Sequence, residues 1–189
     1  MDAPSICIRK FEKSDQEKVA VLFREVKQAY DDDPIIAIIN DYFHNDKLGP
    51  NGDMSDIFKH YMDHDDSIKK CFWVAENEEK EIVGMVGAIP SIVYDPTEYI
   101  EVVRMRVSDK VRRSGVGTAL LNELESYGKA NGYKYVNLTT LVGMKMAVSF
   151  YQHHNYIIQR VEVEPPIVTP LSDVLICPEV AHLLKPLQQ

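Results

Sequence analysis

A strand-like run that enters a basic, glycine-containing turn and then an amphipathic helix is the feature that most constrains this chain. The apolar run at residues 99–107 leads to Arg112 and Arg113, and Gly115 and Gly117 follow at the start of the helix. Glycine lets a backbone approach a ligand without a Cβ atom in the way, and a helix start points free N–H groups at an anion. The segment predicts a phosphate-binding turn, although such turns also occur as tight bends with solvated arginines.

Length and composition are those of an ordinary globular protein. The chain has 189 residues, of which 45% are hydrophobic and 26% charged, so we expect one domain over residues 1–189. No apolar segment approaches the roughly 20 residues that cross a bilayer, and the N-terminus lacks the layout of a secretory signal. Cys7, Cys71 and Cys177 lie far apart, which suits a reducing compartment and gives no metal-ligand spacing. These features predict a cytoplasmic protein without a membrane partner or a metal site.

The distribution of charge limits the partners. The net charge of −8 argues against nucleic acid as a partner, because phosphate contacts need a positive surface. Positive charge concentrates near residues 104–113, and acidic clusters lie at residues 31–33 and 63–66. These clusters are either solvated loop ends or a negative rim that attracts a cationic acceptor.

Hydrophobic periodicity predicts strands and helices in a mixed order. Strand-like runs at residues 70–76 and 81–89 flank a polar turn at residues 77–80 and predict a β-hairpin. The other predicted strands cover residues 6–11, 99–107, 135–141, 156–163 and 173–176, and the predicted helices run from residue 14 to 30, 34 to 43, 57 to 62, 116 to 130 and 144 to 154, with a loop over residues 44–56. This order predicts a mixed α/β or α+β sheet with helices packed on it.

This order and two short motifs resemble the GNAT superfamily of acetyl-CoA-dependent N-acetyltransferases. The family's turn motif is Gln or Arg, two residues, Gly, one residue, and Gly or Ala, and residues 112–117 match it. The resemblance covers residues 6–163 and is strongest over residues 99–156. It implies a GNAT fold, in which a central, mostly antiparallel sheet of about seven strands has its fourth and fifth strands splayed apart and carries about four helices.

A second family signature lies downstream and consists of an alanine, then Phe-Tyr, then Gly-Phe. It matches Ala147, Phe150-Tyr151 and Asn155-Tyr156. Asparagine replaces the family's glycine but tolerates the left-handed conformation, so the turn survives. Met144 stands where the family often has an asparagine, so no side-chain hydrogen bond to the cofactor is expected there. Residues 144–156 also resemble the branch that acetylates cysteine conjugates and lysines.

The resemblance implies acetyl-CoA as the cofactor. The pantetheine arm would pair with the open edge of the fourth strand at Met105 and Val107, where N–H and C=O groups lack strand partners. The pyrophosphate would lie over the amides of residues 112–117, with the Thr118 hydroxyl in reach, and Arg112 or Arg113 would meet the 3′-phosphate unless it is merely solvated. The predicted cofactor-binding residues are Met105, Arg106, Val107, Arg112, Arg113, Ser114, Gly115, Val116, Gly117, Thr118, Ala147 and Phe150.

Acyl transfer to an amine by direct attack in a ternary complex needs a base, because an alkylammonium has a pKa of about 10.4 and must lose a proton before it attacks. It also needs an acid for the departing thiolate. The resemblance implies Glu101 as the base and Tyr151 as the acid that protonates the CoA thiolate, with the Met105 N–H holding the oxyanion. Period-two alternation puts Glu101 and Met105 on one strand face. The alternative for Glu101 is an exposed glutamate at the end of a strand, and the alternative for Tyr151 is an aromatic residue of the core. His153 and His154, near a helix end, are interpreted as structural.

The acceptor is predicted from the loop between the first two helices. In this fold that loop commonly lines the acceptor site, and here it contains Tyr30, Asp31 and Asp32. Its aromatic and acidic character predicts a cationic primary amine, such as a small amine, a polyamine, or a lysine or amino-terminal group. The alternatives are a non-catalytic acyl-CoA-binding or regulatory module, and a generic nucleotide-binding domain. A homodimer also stays open, since homodimers are frequent in the family.

Overall fold

The computed structural model describes residues 5–25, 34–63, 69–165, 167–168 and 175–187. In chain order the elements are β1 (Cys7–Lys10), α1 (Gln16–Glu25), α2 (Pro34–Leu48), β2 (Cys71–Glu76), β3 (Ile82–Pro90), β4 (Tyr99–Val107), α3 (Val116–Ala130), β5 (Tyr135–Leu141), α4 (Lys145–His153), β6 (Ile157–Val163), β7 (Ile167–Val168), β8 (Leu175–Ile176) and β9 (Glu179–Pro186). Short 3-10 turns precede α1 and α3, and a π-helical turn, Phe58–Met62, lies between α2 and β2.

Seven strands form one sheet in the order β1-β2-β3-β4-β5-β9-β6, and β7 pairs with β8 separately. Neighbouring strands of the large sheet are antiparallel except β4 and β5, which are parallel. The inner strand β2 is buried along its whole length, whereas β6, at the edge, is exposed along its whole length. The predicted fold is therefore confirmed: a mixed, mostly antiparallel sheet of about seven strands with about four helices.

Helices cover both faces of the sheet. On one face, α3 packs Val116, Leu120, Leu121 and Leu124 against the sheet, in a cluster that includes Ile100 and Val102 of β4. These helix residues recur at the spacing that builds one apolar stripe. On the other face, α1 packs Val19, Leu22 and Phe23 against residues of β2 and β3. Burial from both sides explains why the central strands are almost continuous apolar runs rather than alternating ones.

The fourth and fifth strands separate after a short contact. β4 and β5 pair only through Tyr99 with Tyr135, Ile100 with Val136, and Glu101 with Asn137. Beyond Glu101 the two strands diverge, and β5 continues by pairing with β9 on its other side. The predicted splaying is thus confirmed, and it leaves the remainder of β4 facing a gap.

A β-bulge in β4 changes which way its side chains face. The register between β3 and β4 pairs Gly87 with Val103 but Met85 with Arg106, so β4 contains one extra residue. Arg104 in this bulge has a left-handed backbone, with φ 55°. Met105 consequently packs with the cluster on the α3 face. The prediction that Glu101 and Met105 share a face is therefore wrong, because an extra residue reverses the alternation of the strand.

Several element boundaries differ from those predicted. The predicted hairpin is confirmed as β2 and β3, but α2 extends to Leu48 through part of the predicted loop. The predicted final strand at residues 173–176 is only the two-residue β8, and the long final strand is β9, which inserts between β5 and β6 because Ala181 and Leu183 pack into the core. The first helix is described as far as Glu25. Among the helices of the described ranges, none combines the length and apolarity that a bilayer crossing needs.

Candidate active site

The divergence of β4 and β5 opens a cleft of about 1140 Å³. Its wall is built mainly from β4, the turn before α3, the first turn of α3, β5 and α4, with further residues of α1, α2, β3 and β9. The predicted site residues in this wall are Glu101, Met105, Arg106, Val107, Arg112, Arg113, Gly115, Val116, Gly117, Thr118, Ala147, Phe150 and Tyr151. Ser114 is not part of the wall, and its hydroxyl donates to the Val111 carbonyl at 2.6 Å. Tyr30, Asp31 and Asp32 lie outside the described residues.

We call residues 112–117 the glycine turn. Arg113 and Gly115 have left-handed backbones, with φ 62° and 86°, and the residues around them do not. Such alternation turns successive N–H groups towards one side and forms a concave anion site. The Ala119 N–H makes the first bond of the helix, to Gly115 O at 2.9 Å, and helix geometry leaves the N–H groups before it without a helical partner. The turn therefore has the form that a phosphate group needs.

The two glycines of this turn serve different purposes. A Cβ at Gly115 would meet no protein atom within 4 Å, so glycine is needed there for its left-handed backbone. A Cβ at Gly117 would lie 3.3 Å from two atoms of the Phe150 ring. Glycine at this position therefore lets α3 approach α4, and its predicted role in the backbone approach to a phosphate stays a prediction.

Two polar side chains near the turn, Arg112 and Thr118, have partners. Arg112 forms an ion pair with Asp109, and Arg113 is exposed. The Thr118 hydroxyl lies 3.0 Å from His154 Nε2, and His154 Nδ1 lies 2.8 Å from the Phe150 carbonyl. Because a carbonyl only accepts, Nδ1 carries a hydrogen, and in the neutral ring Nε2 then accepts from the Thr118 hydroxyl. His154 thus orients the hydroxyl that was predicted to reach the pyrophosphate.

Glu101 is a buried carboxyl at the point where the strands diverge. It is 6% exposed, so the alternative of an exposed strand-end glutamate is wrong. Burial raises the pKa of Glu101 above its ordinary value, and this exceeds the opposite effects of the Ile92 N–H, the Asn137 amide, and the charges of Arg104 and His182. The Ile92 N–H donates to Glu101 Oε2 at 3.2 Å. A carboxylate with a raised pKa is a better proton acceptor.

Tyr151 belongs both to the core and to the cleft. It is 7% exposed, and its ring makes edge contacts with Phe150 and Tyr156 at centroid distances of 5.2 and 5.5 Å. It also lines the cleft. The interpretations of Tyr151 as a core aromatic residue and as the proposed acid are therefore compatible: packing fixes the ring, and the cleft is where its hydroxyl would act.

The structure adds a cluster that the sequence did not indicate. Arg104, in the bulge, donates to both carboxylate oxygens of Asp53, from Nε at 2.8 Å and from an Nη at 3.1 Å. The Tyr61 hydroxyl donates to the same carboxylate. We call these three residues the bulge latch. Burial opposes ionisation of Asp53, but its bonds to Arg104 outweigh burial and hold the pKa of Asp53 below its ordinary value. The latch fixes the backbone where β4 turns its edge to the cleft.

A second group missed by the sequence lies on the Glu101 side of the sheet. Asn137 is the register partner of Glu101, Thr139 follows two residues later, and Thr139 is paired with His182 of β9. Thr139 and His182 are 43 residues apart in the sequence, so no local sequence pattern indicates their contact. The contact depends on the register between β5 and β9. Within the described ranges, no cluster of His, Cys, Asp or Glu has the composition of a metal site.

Comparison with known proteins identifies the family. The sequence profile of the Acetyltransferase (GNAT) family matches residues 32–156. The chain therefore belongs to the GNAT acetyltransferase family, as its motifs predicted.

Relatives and structural neighbours agree with this family. Over 103 residues the chain is 41% identical to N-acetyltransferase 8 and 39% identical to N-acetyltransferase 8B of Homo sapiens, with 53% of this chain and 43% of each relative aligned. The chain thus spans less than half the length of these curated relatives. A GNAT acetyltransferase from Staphylococcus aureus Mu50 has a TM-score of 0.66 at 19% identity, over 97% of this chain and 100% of that one.

A second structural neighbour was solved with ligands. Spermidine N-acetyltransferase from Vibrio cholerae, in complex with CoA and spermine, has a TM-score of 0.64 at 14% identity, over 96% of this chain and 95% of that one. At this level of identity the likeness concerns the fold.

Proposed function

We propose that this chain is an N-acetyltransferase domain that moves an acetyl group from acetyl-CoA to a primary amine in a ternary complex. One observation carries the proposal: a single cleft wall contains the glycine turn, a buried carboxyl with a raised pKa, and a packed tyrosine. A module that only binds acyl-CoA has no need of Glu101 and Tyr151 in that wall, so the enzyme is the better interpretation.

Acetyl-CoA is the proposed acyl donor because its parts suit the two ends of β4. The amides of the glycine turn and the first turn of α3 would hold the diphosphate. The edge of β4 that faces the gap after Glu101 would accept the amides of the pantetheine arm. The cleft wall also contains the cations Arg106, Arg112 and Arg113, which suits an anionic ligand.

The proposed chemistry assigns one role to each residue. Glu101 takes a proton from the acceptor, which arrives as an ammonium ion, so that the neutral nitrogen can attack the thioester carbon. The Met105 N–H stabilises the oxyanion. Tyr151 donates a proton to the departing thiolate, whose conjugate acid has a pKa of about 8.5 in a free thiol.

The acceptor is proposed to be a cationic amine: a small primary amine, a polyamine, or a lysine or amino-terminal group. The buried carboxylate of Glu101 supports this class of acceptor, because a carboxylate attracts an ammonium ion and can take a proton from it, which gives the neutral amine. Spermine, a polyamine, is bound in the structure of the Vibrio cholerae neighbour. Tyr30, Asp31 and Asp32 remain the proposed acceptor contacts from the sequence.

Incubation with acetyl-CoA and a mixed pool of amines, followed by mass spectrometry of acetylated products, tests the proposal. We expect a cationic primary amine to gain an acetyl group. Tyr151→Phe should lower kcat about 10- to 100-fold and leave the affinity for acetyl-CoA nearly intact. Tyr127→Phe is the matched control, because Tyr127 bonds the Lys70 carbonyl outside the cleft wall. Saturable CoA binding without any acetylated amine would instead identify a binding module.

A further inference from the structure

The proposed reaction removes more protons from the acceptor than Glu101 can hold. An ammonium group that becomes an amide loses two protons, while the sulfur that leaves gains one. If Tyr151 supplies the sulfur and Glu101 takes one proton from nitrogen, the second nitrogen proton needs another acceptor. Glu101 is 6% exposed, so bulk water does not meet it freely. The inference below therefore rests on the proposed function.

A hydrogen-bonded row on the Glu101 side of the sheet offers that acceptor. Thr139 lines the cleft and is exposed to it, and its hydroxyl lies 3.3 Å from His182 Nδ1. His182 Nε2 lies 3.1 Å from Glu162 Oε2. His182 is 4% exposed, whereas the Glu162 side chain is 48% exposed. The row thus joins the cleft to the surface through one buried imidazole.

The partners of His182 fix the direction of its hydrogen bonds. An ionised carboxylate only accepts, so Nε2 carries the hydrogen that bonds Glu162. In the neutral ring Nδ1 is then the acceptor, and the Thr139 hydroxyl donates to it. A hydroxyl, an imidazole and a carboxylate in this order are the arrangement in which histidine takes a proton through a hydroxyl and the carboxylate stabilises the imidazolium.

Charged side chains of two other strands lie near His182. Glu162 and Arg160 face it from β6, where Arg160 is its register partner and bonds Glu162 at 2.9 Å. Glu101 of β4 is close enough that His182 contributes to its electrostatics. Asn137, the register partner of Glu101, is 1% exposed, and its amide lowers the pKa of Glu101.

We infer that Thr139, His182 and Glu162 form a proton relay that takes up the second proton of the acceptor amine. As the nitrogen–carbon bond forms and the carbon–sulfur bond breaks, one nitrogen proton goes to Glu101. The other goes to Thr139 Oγ1, whose own proton passes to His182 Nδ1, and Glu162 balances the imidazolium. After the products leave, Glu101 and His182 lose their protons to water and Tyr151 regains one, so one proton is released per turnover.

Four variants test the relay with the best amine acceptor at saturating substrates. Thr139→Val, which removes only the hydroxyl, should lower kcat about tenfold, and Thr139→Ser should restore most of it. His182→Ala should lose about 10- to 100-fold, and added imidazole should recover part of the rate. Glu162→Gln should lose less. The affinity for acetyl-CoA should change by no more than about twofold in each, since these residues lie away from the glycine turn.

Thr140→Val is the matched control, because Thr140 is the next residue of β5, lines the same cleft and bonds Met144 Sδ. Wild-type kcat in Thr139→Val, or equal losses in the Val and Ser variants, would overturn the relay. So would a His182→Ala enzyme that imidazole does not rescue. If His182→Ala does not fold, the Thr139 pair decides. A wild-type protein that acetylates no amine overturns the proposed function and the relay together, whereas active wild type with unaffected variants overturns the relay alone.

Discussion

The two ends of the cleft are built in opposite ways. The proposed donor end is the glycine turn, six consecutive residues whose backbone amides would bind the diphosphate, with the cations Arg112 and Arg113 in the same cleft wall. The acceptor end brings Glu101, Asn137, Thr139 and His182 together from three strands, β4, β5 and β9. There the proposed chemistry belongs to side chains, and Glu101, Asn137 and His182 are buried.

The difference follows from what each end must do. A diphosphate carries its charge permanently, so fixed amides and a helix dipole are enough to bind it. A proton acceptor must change charge during the reaction, so its surroundings must set its pKa. Burial does this for a carboxyl group by raising its pKa. Variants at the acceptor end should therefore change kcat, and variants at the donor end should change affinity for acetyl-CoA.

Glu101→Gln should give the largest effect. Glutamine keeps the size of the side chain and the acceptor for the Ile92 N–H but cannot take a proton, so kcat should fall about 100- to 1000-fold. Equilibrium binding of acetyl-CoA should stay within about twofold. Glu98→Gln is the control, since Glu98 pairs with Lys134 at the surface. A large loss of acetyl-CoA affinity in Glu101→Gln would break the division between the two ends.

The pH dependence should separate the same two ends. Because the folded pKa of Glu101 is raised, kcat/KM should rise with pH through that pKa by about tenfold per pH unit on the acid side. Ionising Glu101 also costs stability as pH rises past its unfolded pKa. Glu101→Gln should therefore have a higher Tm than wild type at alkaline pH and an equal one in acid. Thermal unfolding across pH, compared with the rate profile, would contradict this if the difference had the opposite sign.

The bulge latch lies between the two ends, so its loss should affect both. Asp53→Asn weakens the bonds that hold the left-handed Arg104 and should cost about 1–3 kcal/mol of unfolding free energy at pH 7. The lowered pKa of Asp53 means that its contribution is present above its unfolded pKa and is lost as pH falls through the folded one. Urea unfolding measures the loss. Asp46→Asn, which breaks the exposed pair with Lys47, should cost little, and equal costs would argue against the latch.

A matched pair of glycines gives the smallest and sharpest comparison. Gly115 and Gly132 lie just outside the two ends of α3, have φ of 86° and 83°, and a Cβ added at either would meet no protein atom within 4 Å. Alanine at either should cost about 1 kcal/mol of stability. Only Gly115→Ala should also weaken acetyl-CoA binding, about 5- to 10-fold, because strain there re-aims the amides of the turn. Equal affinity of Gly115→Ala and Gly132→Ala for acetyl-CoA would contradict the proposed diphosphate site at the glycine turn.

Much of the donor end was predictable from local sequence. The strand, the basic turn, the two glycines and the helix are contiguous, and each residue's conformational preference acts on its neighbours. The same holds for the hairpin of β2 and β3. The prediction failed where tertiary contacts decided: the faces of Glu101 and Met105 depend on the bulge in β4, and the end of α2 and the true last strand depend on packing.

The sequence by itself thus determined the family, the order of most elements and the glycine turn, because periodicity and backbone preference are local properties. Only the tertiary structure decided the bulge at Arg104, its latch to Asp53, the burial of Glu101, and the meeting of Thr139 with His182. These features depend on strand register and on which strand inserts beside β5. Register is set by the summed burial of many side chains, so no short stretch of sequence contains it.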